Sequence, residues 1–361
     1  MSSAPQHALL GRLAAGEDLS LEETAAAVGG IMQGFWSEGE IGLFLTGLRE
    51  KGETPEEVAG AAIAMRSHMR RIKTSRTGLI DTCGTGGVGS TIFNVSTTAA
   101  LVTAAAGVPV AKHGNRRVTS RSGSADVLVE LGVNVQAEIE VVERSLEELG
   151  ICFCFAPLMH SAMKHVAPVR QKLGGRTIFN LLGPLTNPAG AEFQLLGVGR
   201  SELRPLLASA LVLLKAKRAV VVSGDDGLGE VTIAGSTHVT EVQSLPPPPE
   251  PHPAAAEGHF VPEALYRTTQ YDWAPADFDV EAGSVESASV DSPAASAAII
   301  RSVLAGDKGA ARDLVVVNAA AALWTAGRAA TTLSAAALAR EAIDSGAARE
   351  LLARLVEITN K

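Results

Sequence analysis

Residues 79–97 read LIDTCGTGGVGSTIFNVST. An apolar run enters, four glycines follow within six positions (Gly84, Gly86, Gly87 and Gly89), and FNVST opens an apolar stretch that continues to residue 106. The pattern predicts a strand over 79–82, a glycine loop and a helix over 95–106, the repeating unit of a parallel α/β sheet. Glycine lets backbone N–H groups close on a ligand, and a helix N-terminus favours negative charge, so the loop is a candidate phosphate cradle. Two literal pattern matches fail on their chemistry. Gly84-x-Gly86-x-x-Gly89 fits the dinucleotide fingerprint, which also needs an acid about 20 residues on. The next strand, Val108–Ala111, ends instead in Lys112-His113. Gly84-x-x-x-x-Gly89 is half a P-loop, but Ser90 stands where the lysine is required. A turn-rich loop without a ligand is the plain reading of an isolated glycine cluster. This cluster has company.

Working outward, apolar runs keep alternating with helical stretches. Strands are expected at 79–82, 108–111, 151–156, 193–198 and 218–223, and helices at 95–106, 123–131, 140–149 and 201–214. This predicts an α/β chain with a central, mainly parallel sheet, whose ligands bind beyond the carboxyl ends of the strands. The first 75 residues differ. They carry three capping boxes, Ser20-x-x-Glu23, Ser37-x-x-Glu40 and Thr54-Pro55-x-Glu57, each leading into apolar residues at helical spacing. The expected organisation is a small all-helical unit over 1–75, completed by helices around 160–190, and a large α/β unit over 78–361. Leu245–Pro253 (LPPPPEPHP) reads as an exposed extended loop, and Ser334–Thr359 as a helical tail.

Composition bounds the function. The chain has 361 residues, 46% hydrophobic, 19% charged and only 4% aromatic, so its core is built of Ala, Val, Leu and Ile. A net charge of −8 disfavours nucleic acid, and an anionic ligand needs a local basic pocket. Three cysteines with no regular framework (Cys83, Cys152 and Cys154) point to a reduced, cytoplasmic protein. Cys152 and Cys154 share one face of a strand and read as core thiols. There is no signal-peptide pattern and no apolar run of about 18 residues free of ionisable groups, so no membrane span is expected.

Four segments carry candidate chemistry. Asn94, Val95, Ser96 and Thr97 sit at a helix start behind the glycine loop. Lys112, His113, Asn115, Arg116 and Arg117, with Ser120, Ser122 and Ser124, concentrate cations and hydroxyls after a strand. Phe155–Pro188 holds His160, Lys164, His165, Arg170, Lys172 and Arg176 and no acid, which reads as a positive surface near an anion. Arg170 suits a carboxylate, which a guanidinium grips with two hydrogen bonds. Ser223–Glu230 (SGDDGLGE) offers carboxylates opposite the phosphate site, the oxygen ligands Mg2+ takes; a plain acidic turn is the competing reading.

Taken together, GTGG, FNVST, KHGNR, SRSGSAD, APVRQ and RTIFNLLGPLTNP, in this order and spacing, resemble the anthranilate phosphoribosyltransferases over nearly the whole chain, most weakly across 242–270. The resemblance implies the fold of pyrimidine nucleoside phosphorylases, a homodimer joined through the helical domain, and a reaction joining anthranilate to C1 of phosphoribosyl diphosphate (PRPP) in tryptophan synthesis. It implies that Gly84, Gly87, Val88, Ile92, Asn94, Val95, Ser96, Thr97, Lys112, Ser120 and Ser124 form the PRPP site. Gly84, His113, Asn115, His160 and Arg170 would form the anthranilate side, and Ser96 and Glu230 would bear on Mg2+.

Three positions depart from the family's pattern. Val88 replaces the aspartate of GTGGD, Ile92 a threonine, and Gly229 the aspartate of an Asp-Glu pair, with Asp225 or Asp226 as possible substitutes. All three remove polarity from the PRPP and metal side. One reading is an enzyme that works with fewer metal ligands. The other is a paralogue acting on another anionic substrate, or a non-catalytic phosphate-sugar-binding or nucleic-acid-binding relative. A nucleoside phosphorylase is disfavoured by Asn115 and Arg170.

Overall fold

The computed structural model describes residues 4–86, 91–116, 122–246 and 265–361. Four helices open the chain: α1 (Ala4–Ala14), α2 (Leu21–Met32), α3 (Glu38–Lys51) and α4 (Pro55–His68). Ser20, Ser37 and Thr54 each take the N3 amide while the N3 glutamate returns to the cap N–H, so all three capping boxes form and set the starts of α2, α3 and α4. The apolar faces of these helices meet the 166–185 segment in one core, with Ile41, Phe44 and Val58 packed among residues such as Val169, Ile178 and Leu182.

The rest of the chain builds one seven-stranded sheet in the order β3-β2-β1-β4-β5-β6-β7. The strands are β1 (Ile80–Asp81), β2 (Val110–Gly114), β3 (Ile151–Phe155), β4 (Phe193–Gly197), β5 (Arg218–Gly224), β6 (Thr237–Ser244) and β7 (Tyr266–Trp273). The first five are mutually parallel, and β6 and β7 add antiparallel at one edge. The parallel strands are those the apolar runs anticipated. The edge pair is an addition: β6 is only partly buried and β7 is exposed along most of its length, and both are too polar to stand out as strands. Residues 247–264, which include most of the proline-rich segment, lie outside the described residues.

Strands β1 to β5 are buried on both faces, and the period of two divides their side chains between separate cores. Leu195, Val220 and Val222 face one core, whereas Leu196, Ala219 and Val221 face the core of the N-terminal helices. In β3, Ile151, Phe153 and Phe155 join the first core, while Cys152 and Cys154 lie together in a third cluster with Leu146 and Met159. Helix α5 (Val95–Ala105) covers the first face together with the helix Ala310–Thr325. The helical C-terminal tail is made of two helices, Thr332–Asp344 and Ala347–Thr359. The break falls at Ser345-Gly346, where Gly346 takes a left-handed φ of 79°.

Candidate active site

All five parallel strands point their carboxyl ends at one cleft of about 390 Å³. Residues that follow each of them line it: Gly84 after β1, Asn115 after β2, Ala156 after β3, Gly199 after β4 and Glu230 after β5. The cleft opens at the end of β1, which lies between β2 and β4, where the strand order reverses direction. Such a switch point is where open α/β sheets bind ligands.

Adjacent residues of β2 serve opposite walls, because successive side chains of a strand alternate. Lys112, 4% exposed, extends its Nζ to Thr82 O at 3.3 Å and to Ser96 Oγ at 3.4 Å, beneath the N-terminus of α5. His113 turns the other way, its Nδ1 donating to Gly183 O at 2.8 Å. His160 Nε2 stands 3.2 Å from His113 Nε2. With Nδ1–H of His113 committed to a carbonyl, His160 must be the donor of that contact. Burial lowers both histidines and takes His160 down to about 3, so the pair is neutral.

On the α5 wall, Glu230 faces Ser96, whose hydroxyl and backbone N–H favour its charged form. Burial raises its carboxyl to about 7, with Lys112 and the Ser96 bonds opposing the rise. The turn that carries Glu230 reaches this position through three bare backbones. A Cβ on Gly84 would lie 2.6 Å from Gly197 O, and one on Gly197 would lie 1.7 Å from Gly229 O. Thr85 N–H donates to Gly197 O at 3.0 Å, which ties the glycine loop to β4. On the opposite wall, Arg170 on the helix Ala167–Leu173 lies over the Phe179 ring, 5.7 Å from its centroid, with Nη2 3.2 Å from Asn180 Oδ1. Asn115, Arg170, Phe179 and Asn180 all line the cleft.

The cleft thus joins a helix start, an end that favours negative charge, to a half-buried guanidinium. Comparison with known proteins says whose arrangement this is. Residues 7–69 match "Glycosyl transferase family, helical bundle domain" and residues 76–349 match "Glycosyl transferase family, a/b domain". An anthranilate phosphoribosyltransferase of Anaeromyxobacter dehalogenans is 49% identical over 354 residues, 98% of each chain. The chain belongs to the anthranilate phosphoribosyltransferase family. The solved anthranilate phosphoribosyltransferase of Thermus thermophilus superposes with a TM-score of 0.86 at 39% identity, covering 98% of this chain and 99% of that one. The Saccharomyces cerevisiae enzyme in complex with PRPP and Mg superposes at 0.85 with 26% identity, covering 99% of both.

Among the residues that anthranilate phosphoribosyltransferases led us to expect here, Gly84, Ile92, Asn94, Val95, Ser96, Lys112, His113, Asn115, Ser124, Arg170, Gly229 and Glu230 come together around the cleft. Gly87, Val88 and Ser120 lie outside the described residues. Thr97 is buried at the third position of α5 and does not line the cleft, and His160 stands behind His113. Asp225 and Asp226 are spent elsewhere. Asp225 pairs with His238 at 2.8 Å, and Asp226 accepts from Thr232 Oγ1 at 2.6 Å and from Leu228 N–H at 3.1 Å. Neither lines the cleft, so this loop turns one carboxylate inward, that of Glu230. The acid-free stretch 155–188 is also less positive than its sequence: Lys172 pairs with Glu38 and Arg176 with Glu53 from the helical unit.

Sequence reasoning passed over the buried floor of the site. Asp81, fully buried at the end of β1, accepts from His113 N–H at 3.2 Å and from Asn187 Nδ2 at 2.8 Å. Burial raises its carboxyl against the pull of Lys112 and His113. Beside it, Cys83 is pushed up to about 12 by burial and by Asp81, so it is a thiol and no nucleophile. Asp81, Cys83 and His113 bring potential ligand atoms within 4.8 Å of one another, but the hydrogen bonds above already engage the acid and the imidazole. An acid inside an apolar strand was the available signal for Asp81.

Proposed function

We propose that this chain transfers the phosphoribosyl group of PRPP to the amine of anthranilate, giving N-(5-phosphoribosyl)anthranilate and pyrophosphate, with Mg2+ as the metal, in tryptophan synthesis. One observation carries the reading. Lys112 and His113, neighbours on β2, face opposite walls of a single cleft, one an anion pocket and the other the approach to Arg170. That division suits a polyanionic donor and an aromatic acid meeting at the strand end.

On this reading the glycine loop, the α5 N-terminus, Lys112 and Ser124 hold the PRPP phosphates, and Gly87 and Ser120 belong to the same group. Asn115 and Arg170 take the anthranilate carboxylate, and His113 lines its approach, steadied from behind by His160. The amine lone pair bonds to C1 while the C1–O bond breaks, and the electron pair leaves with pyrophosphate; the amine then loses a proton. An aromatic amine is neutral at pH 7, so positioning and charge stabilisation do most of the work. The Ser96 hydroxyl and the Glu230 carboxylate are hard oxygen donors that fit Mg2+, and Glu230, raised by desolvation in spite of Lys112 nearby, would be favoured in its charged form by a further cation. Held by these oxygens, Mg2+ would supply charge neutralisation for the departing pyrophosphate.

We further take residues 1–75 with the helices near 160–190 as one domain and 78–361 as the other; the helices pack with the 166–185 segment in a core that one face of the sheet also joins. A homodimer through the helical domain is supported by Phe35, Leu43 and Ile63, large apolar side chains left exposed there. Among the described residues no helix is long and apolar enough to cross a membrane, and we place the protein in the cytoplasm with no nucleic-acid partner. Loss of anthranilate fluorescence with purified protein, PRPP and a Mg2+ titration tests the function. Mg2+-dependent turnover is expected. PRPP binding with no turnover at any Mg2+ concentration would identify a paralogue instead.

A further inference from the structure

Asn94 is the N-cap of α5, yet its side chain makes no cap hydrogen bond. Asparagine at this position ordinarily turns its carbonyl oxygen onto the N2 or N3 amide. Here that oxygen is held elsewhere. Asn94 Oδ1 accepts from Ser122 Oγ at 2.7 Å and from Ser296 Oγ at 3.0 Å. Ser296 Oγ also accepts from the Asn94 backbone N–H at 3.0 Å, and Asn94 Nδ2 donates to Ser122 O at 3.2 Å. The α5 start is left uncapped by the side chain of its own N-cap residue: Val95 N–H turns back to Phe93 O at 2.8 Å, Ser96 N–H lies beside Glu230, and Asn94, Val95 and Ser96 line the cleft.

Ser296 comes from a part of the chain that shows no site chemistry in its sequence. It is fully buried on the helix Pro293–Leu304, whose own N-cap is Ser292. The segment leading into that helix straps the far limb of the glycine loop. Phe93 N–H donates to Ala288 O at 2.9 Å, Val290 N–H donates to Thr91 O at 2.6 Å, and Ile92 bridges Ser289. The strap ends at Ser296, whose hydroxyl, among the described residues, is the one group that touches both the backbone N–H and the side chain of the N-cap residue.

We propose that Ser296 is a positioning residue for the phosphate pocket, acting through Asn94 to keep the α5 N-terminus uncapped for the PRPP phosphates. The proposal rests on the reading that this cleft binds PRPP. Its physical content is a competition. A free Asn94 carbonyl takes the same amides that the anion needs, and Ser296 with Ser122 withholds it from them.

The test compares PRPP affinity, measured by titration calorimetry in Mg2+ without anthranilate, for wild type, Ser296→Ala, Ser296→Cys and Thr325→Val. Thr325 is a fully buried hydroxyl bonded to Ala321 O at 2.7 Å and lies outside the cleft lining, so it controls for general loss of stability. Ser296→Ala is expected to weaken PRPP about tenfold, the scale of one buried hydrogen bond left unmade. The Michaelis constant for anthranilate should move less than about twofold, and Thr325→Val should bind PRPP like wild type. Ser296→Cys keeps the volume with a poorer hydrogen-bonding group, should fall between, and is the variant to read if Ser296→Ala does not fold. Wild-type affinity in Ser296→Ala, or in Ser296→Cys where alanine fails to fold, overturns the positioning role while leaving the functional reading standing. A wild-type protein that binds no PRPP overturns that reading itself.

Discussion

Replacing Gly197 by alanine tests how the turn that carries Glu230 is held. Gly197 ends β4 and is not among the glycines with positive φ, so alanine meets no backbone strain there. The obstacle is contact alone. The new Cβ would lie 1.7 Å from Gly229 O and 2.7 Å from Gly229 C, both backbone atoms that cannot rotate away. An ordinary carbon–oxygen separation is about 3.5 Å, so the two segments must part by roughly 1.5–2 Å. Overpacking of this kind costs about 1–3 kcal/mol of stability. The larger effect falls on Glu230, next in the chain after Gly229, whose carboxylate faces Ser96 at the start of α5. A misplacement of about 1 Å in a reacting site can cost about 100-fold in rate. We expect Gly197→Ala to lower kcat about 100-fold and to raise the Mg2+ concentration needed for half-maximal rate at least about tenfold. Calorimetry gives the stability change and anthranilate consumption at a series of Mg2+ concentrations gives the rest. A variant that loses stability but keeps the wild-type Mg2+ response refutes the link between Gly197 and Glu230.

Other outcomes follow from the same geometry. Gly11→Ala, at an exposed position inside α1 with no atom within 4 Å of the added Cβ, should stabilise the protein by about 0.5–1 kcal/mol and leave turnover unchanged in the same two assays. Arg170→Ala should raise the Michaelis constant for anthranilate about 10- to 100-fold, the worth of a charge-assisted pair, and that for PRPP by less than about threefold; equal effects on both substrates would remove Arg170 from the carboxylate. Val88→Asp should shift the Mg2+ optimum, and an unchanged Mg2+ profile would put position 88 outside the metal's influence. Stability should fall in acid through the neutral histidine pair. The folded value of His160, near 3, lies below the ordinary value near 6.5, so the unfolded chain takes the proton first. Its contribution is complete above about pH 6.5 and is lost as pH falls toward 3, about 2 kcal/mol of it by pH 5. Denaturant midpoints against pH should show this slope, and His160→Gln should flatten it; an equally steep slope in the variant assigns the acid lability elsewhere.

What could be read from the sequence follows from what is local. Capping boxes at Ser20, Ser37 and Thr54 are satisfied within four residues, so their pattern carries their structure. The five parallel strands are continuous apolar runs because both faces are buried. The antiparallel pair β6 and β7 escaped because a sheet edge tolerates Thr, Gln, Arg and Asp. The cleft-lining residues could be found wherever the chain repeats a recognisable motif. Residues whose role depends on a partner far along the chain could not: Asp81 needs Asn187, 106 positions away, and Asn94 needs Ser296, 202 positions away. Lys172 and Arg176 misled for the same reason, since the acids that neutralise them belong to the helical unit.

The three departures from the family pattern can now be weighed against the geometry. If the turn after β5 had offered Asp225 or Asp226 to the cleft, the absent aspartate at Gly229 would be a relocation of charge. It offers neither, because His238 holds one and Thr232 with the Leu228 amide holds the other. The loop therefore presents Glu230 as its single inward carboxylate, buried enough to hold its proton up to about pH 7. A lone carboxylate with one hydroxyl is a weak Mg2+ site by itself, because Mg2+ keeps a full octahedral set of oxygens. Phosphate oxygens of PRPP and water must supply the remainder. Metal and donor should then bind as a unit: Mg2+ alone should produce little heat in calorimetry, and PRPP should increase its apparent affinity by at least about tenfold, with the reciprocal gain that linkage demands. Tight Mg2+ binding to the free protein would show instead that the chain supplies ligands beyond Glu230 and Ser96, and would return Val88, Ile92 and Gly229 to neutral variation.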